Sequence, residues 1–468
     1  MGKHLLRYIS AFGIGVYLVA LITISLVFKE YTLETKWIFW GLGEVLFFFV
    51  FISIFYPRWK HDDPKSFWRK VFWVALAIRV AYVIFSYYYY YSQMGYPFDK
   101  PGDAVGYYNR SVYLSRYLRK GDIGFIVDFL NKYFMGFSDH GYLIWLTVIH
   151  TIFGPNPLIE RFLKALMSAY LCIVVYKLSS RTFGERTGRL AAVMCVFMPI
   201  LIQICGLHIK EMEMIFLSIL ALERMDYLIR SKKYTVWNIL FPILLTGLTF
   251  GFRTVIGMCL IFAFLVFIVL SPRDLVSKKG KIITISATGV ILLVFLFTAI
   301  GNEMEVYYRL NFSGSDYLSK KYDSLGLEYA ELAKSKYLFP GGFVLPLAPM
   351  VEEAPMHNKM LHGSTYIKNF LAFFAMWSIE IAFRQKKWRD FSLIGAYELA
   401  YIGIVMSSFT ANSERYHEPA IPLLLAMAAY AMTHLRRRDM KYFYAYCGLL
   451  LVALFAWNWL KLASRGLV

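Results

Sequence analysis

The chain has 468 residues, of which 58% are hydrophobic and 17% are charged, and its formal net charge is +19. A soluble domain carries about 25% charged residues, so this composition, with a mean hydropathy of +0.50, excludes a soluble globular protein. The basic residues form short clusters between apolar runs rather than one continuous surface. This arrangement is typical of a topology signal and argues against a nucleic-acid partner.

Apolar runs of roughly 20 residues recur along the chain, and each is long enough to cross about 30 Å of hydrocarbon. They predict an all-α polytopic membrane protein with a single integral membrane domain over residues 1–468. We expect about 13 transmembrane helices, at residues 8–28, 37–56, 70–91, 157–178, 188–206, 211–229, 236–250, 253–271, 282–300, 366–383, 391–410, 418–434 and 441–461. This threading places every basic cluster on one side, which the positive-inside rule makes cytoplasmic.

Two long segments fall on the opposite, outer side of this predicted topology. The first, residues 93–156, follows a tyrosine-rich helix end and contains amphipathic stretches that are typical of interfacial helices. Its apolar run at 142–153 is too short to cross a membrane comfortably. The second, residues 302–365, is polar and mixed. It is either a lid over a site or an ordinary surface loop.

Acidic residues at the start of the first outer loop are candidate catalytic groups. Asp103 lies a few residues beyond the predicted membrane boundary, where a carboxylate can take a proton from a substrate that reaches both lipid and water. Asp99 could assist it, or the two carboxylates could together hold a divalent metal ion. The alternative for Asp103 is that it caps the helix that follows.

Two outer turns between predicted spans offer cations that could bind a phosphate. The sequence His208-Ile209-Lys210-Glu211 places three ionisable groups between apolar runs, which is costly at membrane depth and favours a functional role. Lys210 could neutralise a lipid-linked phosphate, with Glu211 and His208 in support. Arg253 is a second candidate phosphate ligand. The alternatives are a solvated Lys–Glu hairpin and an arginine that snorkels to the interface.

A third outer turn, Arg415-Tyr416-His417-Glu418-Pro419, precedes the twelfth predicted span. The planar fork of Arg415 suits bidentate contact with a phosphate, and Tyr416 could support it. Proline is tolerated in the first turn of a helix. The N-terminus of that helix adds partial positive charge in the same place.

These stretches resemble the type C membrane glycosyltransferases, in particular the bacterial branch related to protein mannosyltransferases and to enzymes that add sugars to lipid A. The resemblance is carried by Gly102-Asp103-Ala104-Val105-Gly106-Tyr107-Tyr108, by Glu160-Arg161-Phe162-Leu163-Lys164 with the later Lys210-Glu211 turn, and by Arg415-Tyr416-His417-Glu418-Pro419. It implies a polyprenyl-phosphate sugar donor, transfer on the outer face of a bacterial inner membrane, and Asp103 as the catalytic acidic residue. Three predicted spans precede the first large loop, two more than the single span that is usual, and Asp99 and Asp103 are not adjacent, which puts a metal in doubt.

The expected function is therefore a hexosyl or pentosyl transferase. It would move a sugar from the lipid-linked donor to a glycan, lipid or protein acceptor of the cell envelope. One alternative is a flippase or transporter for a lipid-linked oligosaccharide, whose path would need charges inside the spans; the few candidates, several of them near span ends, are Glu213, Glu223, Asp226, Glu380 and Glu398. Another is an O-antigen-type polymerase, although Arg309 is the only arginine in the 302–365 loop.

Overall fold

The computed structural model describes residues 3–99, 102–133, 140–272, 275–296, 341–352, 356–407, 414–463 and 466–467. Within these ranges the secondary structure is helical, apart from an isolated antiparallel bridge between Thr32 and Val351. The α-helices are α1 (Lys3–Val27), α2 (Thr35–Trp59), α3 (Pro64–Met94), α4 (Asp103–Arg119), α5 (Ile123–Tyr133), α6 (His140–Phe153), α7 (Pro157–Phe183), α8 (Glu185–Phe197), α9 (Pro199–Gln203), α10 (Glu211–Ser231), α11 (Val236–Phe252), α12 (Thr254–Leu270), α13 (Lys278–Leu296), α14 (Met356–Arg384), α15 (Trp388–Ser407), α16 (Glu414–His417), α17 (Ile421–His434) and α18 (Met440–Ala463).

Five of the described helices, α1, α2, α3, α14 and α18, are long and apolar enough to cross a membrane. The bent pair α8 and α9 makes a sixth if it is one span. The all-helical, multi-pass prediction is confirmed at this level, but thirteen spans are not. Helices such as α11 and α12 have 17 residues each, so they are only about 25 Å long, and α7 and α10 contain buried charged residues.

The first outer loop contains α4, α5 and α6, so helices form where the sequence predicted interfacial ones. The second predicted loop, residues 302–365, lies partly outside the described residues, which resume at 341. The last ten residues of this predicted loop belong to α14, which begins at Met356 rather than near residue 366. Polar side chains of this first part of α14, including His362 and Ser364, are buried inside the protein.

A break between α8 and α9 bends the chain inside the protein. Pro199 follows Met198, whose backbone is extended, as steric clash with a following proline favours. The two helices meet at a bend of 56°. A short 3-10 turn at Ile204–Gly206 then leads into residues 207–210, which are buried. The bend thus places a polar turn inside the helix bundle, directly before α10.

The opposite end of α10 holds a network of ion pairs. Arg181 Nε lies 2.8 Å from Asp226 Oδ2, and Arg181 Nη2 lies 2.9 Å from Glu223 Oε1. Arg230 Nε lies 2.6 Å from Asp226 Oδ1. Two of the five acids that are candidates for a transport path, Glu223 and Asp226, are therefore bound to arginines from the basic clusters. The turn before Glu211 and this network mark the two ends of the bundle.

Helices α2 and α14 cross at glycines. A Cβ atom on Gly363 would lie 2.6 Å from the carbonyl oxygen of Gly41, and a Cβ atom on Gly41 would overlap His362. Beside the crossing, the buried Glu44 accepts hydrogen bonds from the Ser364 amide at 3.0 Å and from the Gln203 side chain. Small residues let the two backbones approach closely enough for this polar contact.

Replacing Gly363 with alanine tests this crossing. The added methyl group meets backbone atoms of Gly41, which cannot move aside as a flexible side chain could. We expect Gly363→Ala to destabilise the protein by about 1–3 kcal/mol, measured as a lower midpoint of thermal unfolding in nanodiscs. Gly43→Ala is the matched control on α2, because no atom lies within 4 Å of its added Cβ. Equal midpoints for the two variants would contradict the crossing.

Candidate active site

Four segments converge at the end of the bundle where α10 begins: the start of α4, the turn 207–210, the break between α11 and α12, and α16. Arg415 on α16 joins two of them. Its Nη1 lies 2.7 Å from Asp103 Oδ2 at the start of α4. Its Nε is bonded to Glu211 Oε1 at the start of α10. One guanidinium thus bridges two carboxylates that are far apart in the sequence.

Two further cations stand beside this bridge. The Lys210 ammonium group is buried and donates to the Phe252 carbonyl oxygen at 3.2 Å. The Arg253 guanidinium lies 4.5 Å from the ring centre of Tyr416, the residue after Arg415. Burial lowers the pKa of Lys210 well below its usual value, and the Arg253 charge lowers it further, while Glu211 opposes the shift. The cluster therefore holds more basic groups than acidic ones.

Exposure differs sharply between the two carboxylates. The Asp103 side chain is 62% exposed, whereas that of Glu211 is 1% exposed and that of Arg415 is 21% exposed. Asp103 is thus open to a molecule arriving from solvent, and Glu211 anchors the base of the cluster. Tyr107 lies one helical turn from Asp103. Burial, together with the Asp103 and Glu211 charges, raises the Tyr107 pKa to about 12, so its phenol keeps its proton.

A second, fully buried polar group supports the turn that carries Lys210. Lys164 Nζ lies 2.5 Å from Glu160 Oε1 and 3.2 Å from the Tyr142 hydroxyl oxygen. The same ammonium donates to the Leu207 carbonyl oxygen at 2.9 Å and to that of Ile209. A buried ammonium that is paired and bonded in this way fixes its partners, because each bond lost would leave a buried polar group unsatisfied. We name Glu160, Lys164 and Tyr142 the buried triad.

The sequence offered a signal for the buried triad that the site predictions did not use. Glu160 and Lys164 are four residues apart, on one face of a helix, inside a largely apolar stretch. Opposite charges at that spacing within a membrane helix mark a functional or positioning site. The triad also holds His208, whose Nδ1 lies 3.1 Å from Glu160 Oε2.

The predicted site residues thus divide into two sets. The structure brings together Asp103, Lys210, Glu211, Arg253, Arg415 and Tyr416. His208 instead contacts Glu160, and the buried Asp99 interacts electrostatically with Arg161. The described residues contain no group of three or more His, Cys, Asp or Glu side chains that could hold a metal ion. Since Asp103 pairs with Arg415, its contacts do not support the divalent-metal site that the sequence left open.

Comparison with known proteins gives a family match over part of the chain. Residues 140–299, about a third of the 468, match the sequence model of the dolichyl-phosphate-mannose-protein mannosyltransferase family. The match confirms the resemblance to lipid-donor membrane glycosyltransferases that the sequence indicated. It includes the buried triad, Lys210, Glu211 and Arg253. Asp103 and Arg415 lie outside it.

Two solved oligosaccharyltransferase structures are similar to parts of the chain. One is the archaeal enzyme AglB from Archaeoglobus fulgidus, solved with an inhibitory peptide and a dolichol-phosphate, with 13% sequence identity and a TM-score of 0.46 over 86% of this chain. Another structure from the same organism, solved with Zn and sulfate, has 15% identity and a TM-score of 0.37 over 70% of this chain. The chain covers 56% and 44% of the lengths of these two. No curated protein sequence matches the chain.

Removing the Lys164 charge tests the buried triad. Lys164→Met leaves Glu160 as an uncompensated buried charge, which costs about 3–5 kcal/mol. The double variant Lys164→Met, Glu160→Gln removes both charges, and we expect it to regain a large part of that loss. Unfolding midpoints of the wild type and the two variants in nanodiscs give the comparison. A double variant no more stable than Lys164→Met would show that the pair does not carry this energy.

Proposed function

We propose that this protein is an integral membrane glycosyltransferase that moves a sugar from a polyprenyl-phosphate donor to an acceptor of the cell envelope. The observation that carries the proposal is the convergence of an exposed carboxylate, Asp103, with the basic side chains of Lys210, Arg253 and Arg415. Transfer from a lipid-linked phosphate needs a proton acceptor and positive charge at the leaving group. The family match over residues 140–299 supports the same class of donor.

The basic side chains bind the donor phosphate in this proposal. Arg415 offers two parallel N–H groups, a geometry that fits a phosphate, and Arg253 adds a second fork. Lys210 contributes a point charge from inside the protein. The phosphate of a lipid donor lies at the membrane surface while its chain stays in hydrocarbon. In this proposal the cluster, at one end of the helix bundle, meets the phosphate there.

Binding of the donor also makes Asp103 a better base. Arg415 holds the Asp103 carboxylate at 2.7 Å, and a carboxylate held in this way is a poor proton acceptor because its charged form is stabilised. A donor phosphate competes for the same guanidinium. When Arg415 turns to the phosphate, Glu211 keeps the arginine anchored, and Asp103 loses a contact that stabilises its charged form, which makes it a better proton acceptor. Base activation thereby depends on a bound donor.

The chemical step then follows an inverting course. The acceptor hydroxyl gives its proton to Asp103 while its oxygen attacks the anomeric carbon from the side opposite the phosphate. The bond between the anomeric carbon and the phosphate oxygen breaks, and its electron pair leaves on the polyprenyl phosphate. Lys210, Arg253 and Arg415 stabilise the charge that develops on that leaving group.

The setting of this reaction completes the proposal. In this proposal the protein is a multi-pass protein of the cell inner membrane. Its site lies on the outer, periplasmic face, away from the basic clusters. Its partners are the lipid-linked sugar donor, the surrounding membrane lipids and a glycan, lipid or protein acceptor. For the transporter alternative, two of the five candidate acids, Glu223 and Asp226, are paired with Arg181 and Arg230. Arg309, which bears on the polymerase alternative, lies outside the described residues.

Replacing the proposed base tests the function directly. In nanodiscs with a panel of polyprenyl-phosphate sugars and cell-envelope acceptors, we expect Asp103→Asn to bind the donor and to lose turnover by about 10²–10⁴-fold. Asp128→Asn is the control, an exposed aspartate on α5 in the same loop. Full turnover in Asp103→Asn, with Asp128→Asn also active, would rule out Asp103 as the base.

The buried ammonium of Lys210 predicts a pH dependence for donor binding. Its pKa is well below the usual 10.5 in the free protein, so the side chain is charged only at lower pH. A bound phosphate favours the charged form, so binding takes up a proton and weakens as the pH rises through the lowered pKa. The dissociation constant of the donor is measured against pH with the Asp103→Asn protein, which does not consume it.

Lys210→Arg provides the comparison for that titration. An arginine stays charged at every pH used, so the weakening at higher pH should disappear in this variant while binding itself persists. The donor phosphodiester keeps one charge throughout and contributes no slope of its own. An identical pH profile in the wild type and in Lys210→Arg would contradict a role for Lys210 at the phosphate.

A further inference from the structure

A cavity of about 710 Å³ lies beside the candidate active site and takes no part in the chemistry described above. It is bounded by residues 96–98, by α4 and by the segment 155–157 at the start of α7. Its volume is within the range of small-molecule binding sites, about 300–1,000 Å³. Helix α4 separates it from the reacting groups: Val105, Tyr108 and Asn109 line the cavity, while Asp103 faces Arg415.

The lining has the chemistry of a carbohydrate site. It combines the aromatic rings of Tyr87, Tyr96, Phe98 and Tyr108 with two amide side chains, and no charged side chain lines it among the residues that the structure describes. A sugar ring has apolar C–H faces that pack on aromatic rings and a rim of hydroxyls that bond to amides. The Asn156 side-chain oxygen already accepts a hydrogen bond from the Leu158 amide at the start of α7. A lipid chain would make no use of the Asn109 amide, and a phosphate would meet no cation among the described lining residues. The lining therefore fits a neutral saccharide.

The aromatic wall of this cavity is already held in place without a ligand. The Tyr108 hydroxyl donates to the Pro155 carbonyl oxygen at 3.0 Å, and the Tyr108 and Phe98 ring centres are 5.4 Å apart. Behind the wall, the buried Arg161 lies 5.8 Å from the Phe98 ring centre and bonds to the Pro97 carbonyl oxygen. A wall ordered in advance lowers the entropy that a ligand must give up on binding.

The same wall touches the turn that carries the proposed phosphate ligand. The His208 ring lies 5.3 Å from that of Phe98 and 5.9 Å from that of Tyr108. His208 precedes Lys210 by two residues, and Glu160 holds its other side. The cavity and the reacting groups are therefore neighbours across a single helix, a distance of about 10 Å.

We propose that this cavity binds a neutral sugar unit of the acceptor, at a distance from the hydroxyl that reacts. The inference rests on the proposed function and names its acceptor class: a glycan or glycolipid with more than one sugar unit, which reaches from the cavity across α4 to Asp103. A sugar bound in the cavity holds the acceptor chain in place. The reacting hydroxyl then meets Asp103 and the donor as part of a bound molecule.

Saturation-transfer difference NMR tests the cavity directly, using Asp103→Asn protein in nanodiscs so that nothing turns over. The probes are methyl glycosides of glucose, galactose, mannose and N-acetylglucosamine and disaccharides of the same sugars, with glycerol as a negative probe. We expect saturation of at least one saccharide. Added Tyr96→Ala or Asn109→Ala should weaken its binding about tenfold or more, because each removes a stacking or hydrogen-bonding partner. Asn131→Ala, an exposed asparagine in the same loop, should leave it unchanged.

Three results would overturn the inference: saturation of no saccharide, saturation that survives both cavity substitutions, or saturation of a serine-containing peptide in place of every sugar. Donor binding to the wild type is measured in parallel with polyprenyl-phosphate sugars. Saccharide binding that depends on Tyr96 and Asn109, without donor binding, would refute the proposed function and leave the cavity a sugar site. Donor turnover without saccharide binding would refute the cavity alone.

Discussion

The bridge from Arg415 to Asp103 and Glu211 is the interaction on which the rest of the site depends. It joins residues that are 312 and 204 positions apart in the sequence, and so brings α4, α10 and α16 together at one end of the bundle. Glu211 is buried and Asp103 is exposed, so the arginine has one fixed partner and one that a ligand can displace. An anion that competes for Arg415 changes the state of Asp103 without any large movement of the fold.

The position of this bridge depends on charged groups that are buried inside the bundle. Lys164 is surrounded by Glu160, the Tyr142 hydroxyl and two carbonyl oxygens of the 207–210 turn. Buried ions are costly unless they are paired and bonded. Here the bonds of Lys164 fix the turn at one end of the bundle. The bend at Pro199 leads the chain into this turn, and the buried triad fixes the turn by hydrogen bonds. Lys210 and Glu211 extend from the turn towards Arg415.

Sequence patterns singled out charged residues that the fold brings together, whereas the described helices do not confirm thirteen spans. Lys210, Arg253 and Arg415 stood out because charge between apolar runs is costly, and the fold places all three near Asp103. Hydropathy does not separate a helix that crosses lipid from a shorter one covered by protein, such as α12, so thirteen spans were expected. The partners of Asp99 and Lys164 depend on contacts between distant segments, which no local pattern contains.

The central claim is that a donor phosphate takes Arg415 away from Asp103. A cryo-electron microscopy structure of the protein in nanodiscs with bound polyprenyl phosphate tests it most directly. We expect phosphate density within hydrogen-bonding distance of Lys210, Arg253 and Arg415. The Arg415–Asp103 contact, 2.7 Å long without ligand, should be broken, while the contact between Arg415 and Glu211 should remain. Phosphate bound elsewhere, with Arg415 still on Asp103, would contradict the account.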